Sequence, residues 1–241
     1  MTSALLYSLL LSWTLGVPQR PVSQWVFRSN LDGCPAALVA GLHTQLWTAY
    51  DARSGQLYRA WLGGTRLQGM AFGGAYDAQS VPDGVILIPE EPGRQVWHVR
   101  QGGQELAVRY VFGGYAIRDS QLFIRHRLVL PDGTVLPIEE QPEYVEAKRP
   151  ENRIGMERRF AIGPVPEGTE VLLDLRIPTL IHAGDIKTDG KFIRKEKIKR
   201  FYDWGTTYDF DGDVLLNTDK PTTVSIVFTL NAEEEARRSG G

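Results

Sequence analysis

The stretch Trp97-His98-Val99-Arg100-Gln101-Gly102-Gly103-Gln104-Glu105-Leu106-Ala107-Val108-Arg109-Tyr110-Val111 decides how the rest of the chain reads. Apolar and polar residues alternate in Trp97–Arg100 and again in Leu106–Val111. A period of two lines one face of a β-strand. Gly102-Gly103 between the two runs supplies the positive φ angles of a tight hairpin turn. The pattern extends outward to Leu122–Leu128, Val171–Ile177 and Val224–Phe228. Pro131-Asp132-Gly133-Thr134 and Pro166-Glu167-Gly168 read as further turns. A helical reading suits only Ala232–Arg238, at a charged terminus where fraying is expected. Many short strands punctuated by turns predict an all-β fold, an antiparallel β-sandwich.

The chain has 241 residues, 27 positive and 29 negative side chains, and one cysteine. That length buries a sizeable core without covalent staples. A net charge of −2 gives no global basic field, so nucleic acid is excluded as an expected partner. A single cysteine, Cys34, excludes an intrachain disulfide, a multi-cysteine metal centre and a CxxCH haem attachment. No cofactor is expected. Residues 4–15 form an uncharged apolar run, too short for a membrane span and suited to a secretory signal. The expected organisation is a signal in 1–20, one β-domain in 21–231 and a charged tail in 232–241. A division near Glu90-Glu91-Pro92-Gly93 is the alternative. Export places the protein outside the cytoplasm, in the periplasm or beyond.

Four groups of residues are candidates for function. The aromatic block from Trp25 to Trp61 contains a hairpin, LWTAYDARSGQLYRAWLGG, with its turn at Asp51, Ser54 and Gly55. Its rings either fill the core or form a stacking surface for a sugar. In the second case Trp47 and Trp61 are the platforms, with Asp51 and Arg59 as hydrogen-bonding neighbours. Glu139, Glu140, Glu143 and Glu146 offer carboxylates for an acid–base pair or merely solvate the surface, and His98, His126 and Glu143 are the suppliers a His/Glu pair would draw on. Asp209, Asp211 and Asp213 around Gly212 offer oxygen ligands for Ca²⁺, although the order of an EF-hand is missing. Otherwise they belong to a plain Asp-Gly-Asp turn. The basic run Lys191–Arg200 reads as a strand blunting a sheet edge, or as a binding place for an anionic partner. Cys34 reads as a small buried hydrophobe. The histidines form no metal-binding spacing.

The string PVSQWVFRSNLDGCPAALVAGLHTQLWTAYDARSGQLYRAWLGG resembles a stretch of large secreted c-type cytochromes, in their non-haem β-rich region. VWHVRQGGQ, RYVFGGYAIRDSQLFIRHRLVLPDGT, EEQPEYVE, GMERRF and TDGKF are similar to the same region, so the likeness runs from about Pro21 to Asn231. It rests on Trp25, Arg28, Trp47, Tyr50, Asp51, Tyr58, Trp61, Gly63 and Gly64. It implies a secreted β-domain of a type that accompanies redox or sugar-degrading modules, and it assigns none of these residues a catalytic role. With one cysteine, electron transfer through an attached haem does not carry over. The expected function is non-catalytic binding of a ligand, such as a carbohydrate, or of a protein partner. The rival is a carbohydrate-active enzyme on a mutarotase-like supersandwich using a His/Glu pair. A structural subunit is the third reading.

Overall fold

The computed structural model describes residues 24–68, 79–146, 153–180, 186–202 and 205–229. The expected signal, the charged tail and His182 lie outside them. The described residues form sixteen strands: β1 (Trp25–Leu31), β2 (Cys34–Gly41), β3 (Leu46–Asp51), β4 (Gln56–Gln68), β5 (Gln79–Pro89), β6 (Trp97–Gln101), β7 (Gln104–Leu106), β8 (Arg109–Arg118), β9 (Gln121–Val129), β10 (Val135–Glu146), β11 (Arg153–Ile162), β12 (Thr169–Leu180), β13 (Ile186–Thr188), β14 (Lys191–Tyr202), β15 (Gly205–Leu215) and β16 (Thr222–Thr229). The fold is all-β, with neighbouring strands antiparallel apart from one closing contact.

Strands β6 to β16 make the sandwich. One sheet has six strands in the order β13-β16-β11-β10-β9-β8; the other has five, β14-β15-β12-β6-β7. Inward side chains of both sheets share one apolar core. Trp97 of β6, for example, lies 5.9 Å edge-on from Phe160 of β11. Gly102 and Gly103 both take positive φ (58° and 81°) and turn β6 into β7 as expected. The alternating run Leu106–Val111 is not one strand, however. Ala107-Val108 carry the chain from the five-stranded to the six-stranded sheet, so the run serves two sheets with one pattern. The Pro166-Glu167-Gly168 turn likewise crosses between sheets, from β11 to β12, and does not close a hairpin.

The first five strands depart from the sandwich by closing into a barrel. They meander in sequence order, and an odd-numbered meander meets itself with a parallel pair, here Asn30 beside Gln79. The aromatic block therefore has two buried faces. Val39, Trp47, Ala49, Tyr58 and Trp61 fill the barrel. Leu38, Ala40, Tyr50, Leu57 and Ala60 point outward from it into the core shared with the sandwich. Every residue of β3 is buried for this reason. The chain leaves the barrel at Glu90-Glu91-Pro92-Gly93. The two parts interlock at Gly55 in the β3–β4 turn (φ 73°): a Cβ there would sit 2.5 Å from Trp97 Nε1 and 2.7 Å from the Tyr110 ring.

Candidate functional site

Three adjacent strands of the six-stranded sheet carry a charged or polar residue at an inward position. The sequence frames are Ile124-x-His126-x-Leu128 in β9, Leu136-x-Ile138-x-Glu140 in β10 and Met156-x-Arg158-x-Phe160 in β11. Alternation drives all three side chains into the core, where Glu140 is 0% exposed, His126 1% and Arg158 3%. A buried charge has to be paired. Arg158 donates to both oxygens of Glu140, Nε to Oε1 at 2.7 Å and Nη2 to Oε2 at 3.0 Å. Tyr50 reaches out from the barrel and donates to Oε1 at 2.8 Å. An ionised carboxylate only accepts, so His126 Nε2–H donates to Oε2 at 3.1 Å. The Tyr110 hydroxyl meets His126 Nδ1 at 2.9 Å. Burial pushes the Glu140 carboxyl up. The Arg158 charge and the hydrogen bonds from His126 and Arg158 outweigh that and hold it at about 2. Tyr50 is pushed well above its ordinary value, by burial first and the Glu140 charge second.

Both candidate histidines therefore do meet a glutamate, but neither acid is Glu143: His126 is bonded to Glu140 and His98 to Glu105. Glu143 lies an odd number of residues along β10, on the opposite face, and accepts from Gln121 and Gln141. The His126–Glu140 pair is also sealed. The cavity beside Arg158, lined by Leu57, Ile88, Arg94, Asp174 and Ile226, holds about 10 Å³. That is room for one water and not for a substrate. The bond from Tyr50 to Glu140 ties barrel to sandwich.

The aromatic candidates are corrected in the same way. Trp61 is fully buried and Trp47 is 5% exposed. Their rings are parallel, 6.1 Å apart, inside the barrel. Trp47 Nε1 donates to the Gly63 carbonyl and Trp61 Nε1 to that of Gly64. Neither ring offers a face to a sugar. Asp51 is buried as well. It accepts the Arg53 backbone N–H and two guanidinium bonds, which outweigh its burial and lower its pKa. Arg59 donates to Asp32 at 2.8 Å. Cys34 is buried, as expected of a small hydrophobe.

Asp209, Asp211 and Asp213 do not form a turn. They occupy alternate positions of β15, so they share a strand face and cannot wrap around an ion. Arg194 of β14 takes Asp211 at 2.7 Å and Asp213 at 3.1 Å, and Arg176 of β12 approaches Asp211 at 3.5 Å. The Arg194 bonds hold Asp211 below the usual carboxylate range. A guanidinium already stands where the calcium reading needs a cation. Among the described residues no three metal-ligating side chains cluster.

These aspartates belong to a wider arrangement on the outer face of the five-stranded sheet. Register places His98 of β6 beside Leu172 of β12, and Asp174 beside Asp213. Two aspartates directly opposed repel. Arg94 relieves one at 2.5 Å and Arg194 the other. His98 pairs with Glu105 of β7 at 2.8 Å. Between these groups lies an open depression of about 200 Å³. Leu172 forms its floor, His98, Arg100 and Glu105 one wall, and Asp174, Arg194 and Asp213 the other. Each wall offers donors and acceptors together, and the His98–Glu105 and Arg194–Asp213 bonds hold one pair in place on each. A second depression at the barrel rim holds about 340 Å³, lined by Asn30, Asp32, Gly33, Gln79, Ser80 and Val81. It is larger but poorer in chemistry: its one carboxylate, Asp32, is already engaged by Arg59.

No family model matches the chain, and no curated protein does. No helix among the described residues is long and apolar enough to cross a membrane. The reading of function therefore rests on the site itself.

Proposed function

We propose that the protein is an exported, non-catalytic binding module that holds a neutral polyhydroxylated ligand, one ring of a glycan, in the depression on the outer face of the five-stranded sheet. One observation carries this reading: both walls of that depression present donors beside acceptors, with one bonded pair of opposite charge character on each, His98–Glu105 and Arg194–Asp213. Sugar hydroxyls both donate and accept, so they suit such walls, whereas an anion or a cation would be repelled by half of each. A volume of about 200 Å³ lies below the roughly 300–1,000 Å³ of drug-sized sites and fits a single ring. The His126–Glu140 pair is out of a substrate's reach, so the rival acid–base enzyme would have to use the open His98–Glu105 pair in this same depression. The likeness to β-regions that accompany redox or sugar-degrading modules agrees with a glycan ligand. The test is calorimetric titration of the protein with a panel of neutral oligosaccharides, alongside the variant His98→Ala. Binding that falls about tenfold in the variant, the loss expected for one well-placed polar contact, supports the site. Absence of binding by the intact protein, or unchanged binding by the variant, overturns it.

A further inference from the structure

The free edge of the five-stranded sheet carries a second surface, independent of that depression. Among the described residues β14 is the outermost strand, bonded to β15 alone. Its sequence, KFIRKEKIKRFY, holds six cations against one glutamate, in a chain whose net charge is −2. One irregularity interrupts the strand, between Phe192 and Arg194, and from Arg194 to Tyr202 its register is continuous.

The two faces of this strand differ. Arg194 lies on the face where β15 supplies Asp209, Asp211 and Asp213, and it is bonded to the last two. Lys195, Lys197 and Lys199 lie on the other. Their cross-strand neighbours there are Gly212, Phe210 and Tyr208, and Lys195 and Lys199 lie over the Phe192 and Phe201 rings at 4.8 and 4.6 Å. Phe210 points into the core, so this lysine row is on the inward side of the sheet, yet all three lysines are exposed. The six-stranded sheet leaves that margin uncovered. Lysines at an edge commonly keep strands apart. A strand built only for that purpose would not also expose Ile193, Ile198 and Phe201, at 38%, 48% and 74%. Apolar side chains on a free edge favour strand addition; the lysines select which strand. A second copy of β14 would set like charges opposite one another, which is destabilising. An acidic strand would not.

We propose that β14 is a docking edge for an extended acidic segment of a partner protein, which adds to the sheet as a sixth strand. Its carboxylates lie along Lys195, Lys197 and Lys199, and its alternate apolar residues cover Ile198. Main-chain bonds give the affinity of such an addition and side chains its selectivity.

The probe is a fluorescein-labelled decapeptide of alternating glutamate and valine, titrated into the full chain and followed by anisotropy. A lysine–valine peptide serves as the control of opposite charge. A third peptide keeps the glutamates but replaces two central valines by proline, which removes ladder donors. Expected are saturable binding of the glutamate–valine peptide that weakens with salt, no binding of the lysine–valine peptide, and binding of the proline peptide weaker by about tenfold or more. The triple variant Lys195→Glu/Lys197→Glu/Lys199→Glu should lose binding of the acidic peptide while melting close to the parent, since its side chains are exposed. Failure of the glutamate–valine peptide to bind the parent overturns the proposal. So does equal binding of the proline peptide, which would reduce the surface to a patch of charge. Neither outcome touches the glycan site, whose residues the triple variant leaves in place.

Discussion

Two regions of this protein are built from the same side chains and do opposite things. Around Glu140, an arginine, a histidine, the carboxylate and Tyr50 are closed off from water, with the half-buried Tyr110 bonded to the histidine. On the outer face of the five-stranded sheet, arginines, a histidine and carboxylates are paired in part, His98 with Glu105 and Arg194 with Asp213, and they border an open depression. Residue type does not distinguish the two; burial does. Inside the core a pair gains its partner's full attraction only by giving up hydration, so its removal damages the fold. At the surface the same pair contributes little to stability and can exchange a bond for one to a ligand.

The largest effect that separates them is on stability. Arg158→Ala leaves the Glu140 carboxylate buried without its cation, and should destabilise the protein by about 3–5 kcal/mol in denaturant melts. A loss below about 1 kcal/mol would mean that the network does not tie barrel to sandwich. Trp61→Ala removes a fully buried ring and should cost about 3–5 kcal/mol by the same assay, without touching the binding of any ligand.

Acid should come next. The folded Glu140 carboxyl lies at about 2, below its ordinary value of 4.5. The unfolded chain takes up this proton more readily, so the stabilisation is complete above pH 4.5 and is lost as the pH falls from there towards 2. Melting temperature followed across that range should fall steeply in the parent. Glu140→Gln should start lower and lose less over the same interval, and parallel curves would contradict the assignment. The smallest stability effect belongs to the surface. Arg194→Ala should cost no more than about 1 kcal/mol, since the arginine itself is exposed and its carboxylate partners are only half-buried, while weakening a bound glycan about tenfold.

The two regions were also unequally legible in the sequence. Strand alternation and turn residues announced the sandwich, because a period of two and paired glycines act locally. The barrel was not announced. β3 looks uniformly apolar, and nothing in Leu46–Tyr50 says that one set of side chains faces a barrel interior and the other a second sheet. The aromatic block was visible, but burial of Trp47 and Trp61 depends on that closure. Glu140 was within reach: extending the alternation from Leu136 and Ile138 puts it on the inward face, and the same step finds His126 and Arg158. Glu143 drew attention by belonging to a run of acids, but it sits out of phase with that face. The outer depression was the least readable, since Glu105, Asp174, Arg194 and Asp213 come from four strands far apart in the chain, brought together only by register.

Each region holds one histidine, and the pair makes a direct reporter. The imidazole signals of His98 and His126 can be followed by ¹H–¹⁵N NMR while maltose, cellobiose and lactose are titrated into the protein. The account predicts that the disaccharide that binds shifts His98 in a saturable way and leaves His126 where it was. Movement of His126 with His98 unchanged would contradict it, and would place the ligand in the buried network instead.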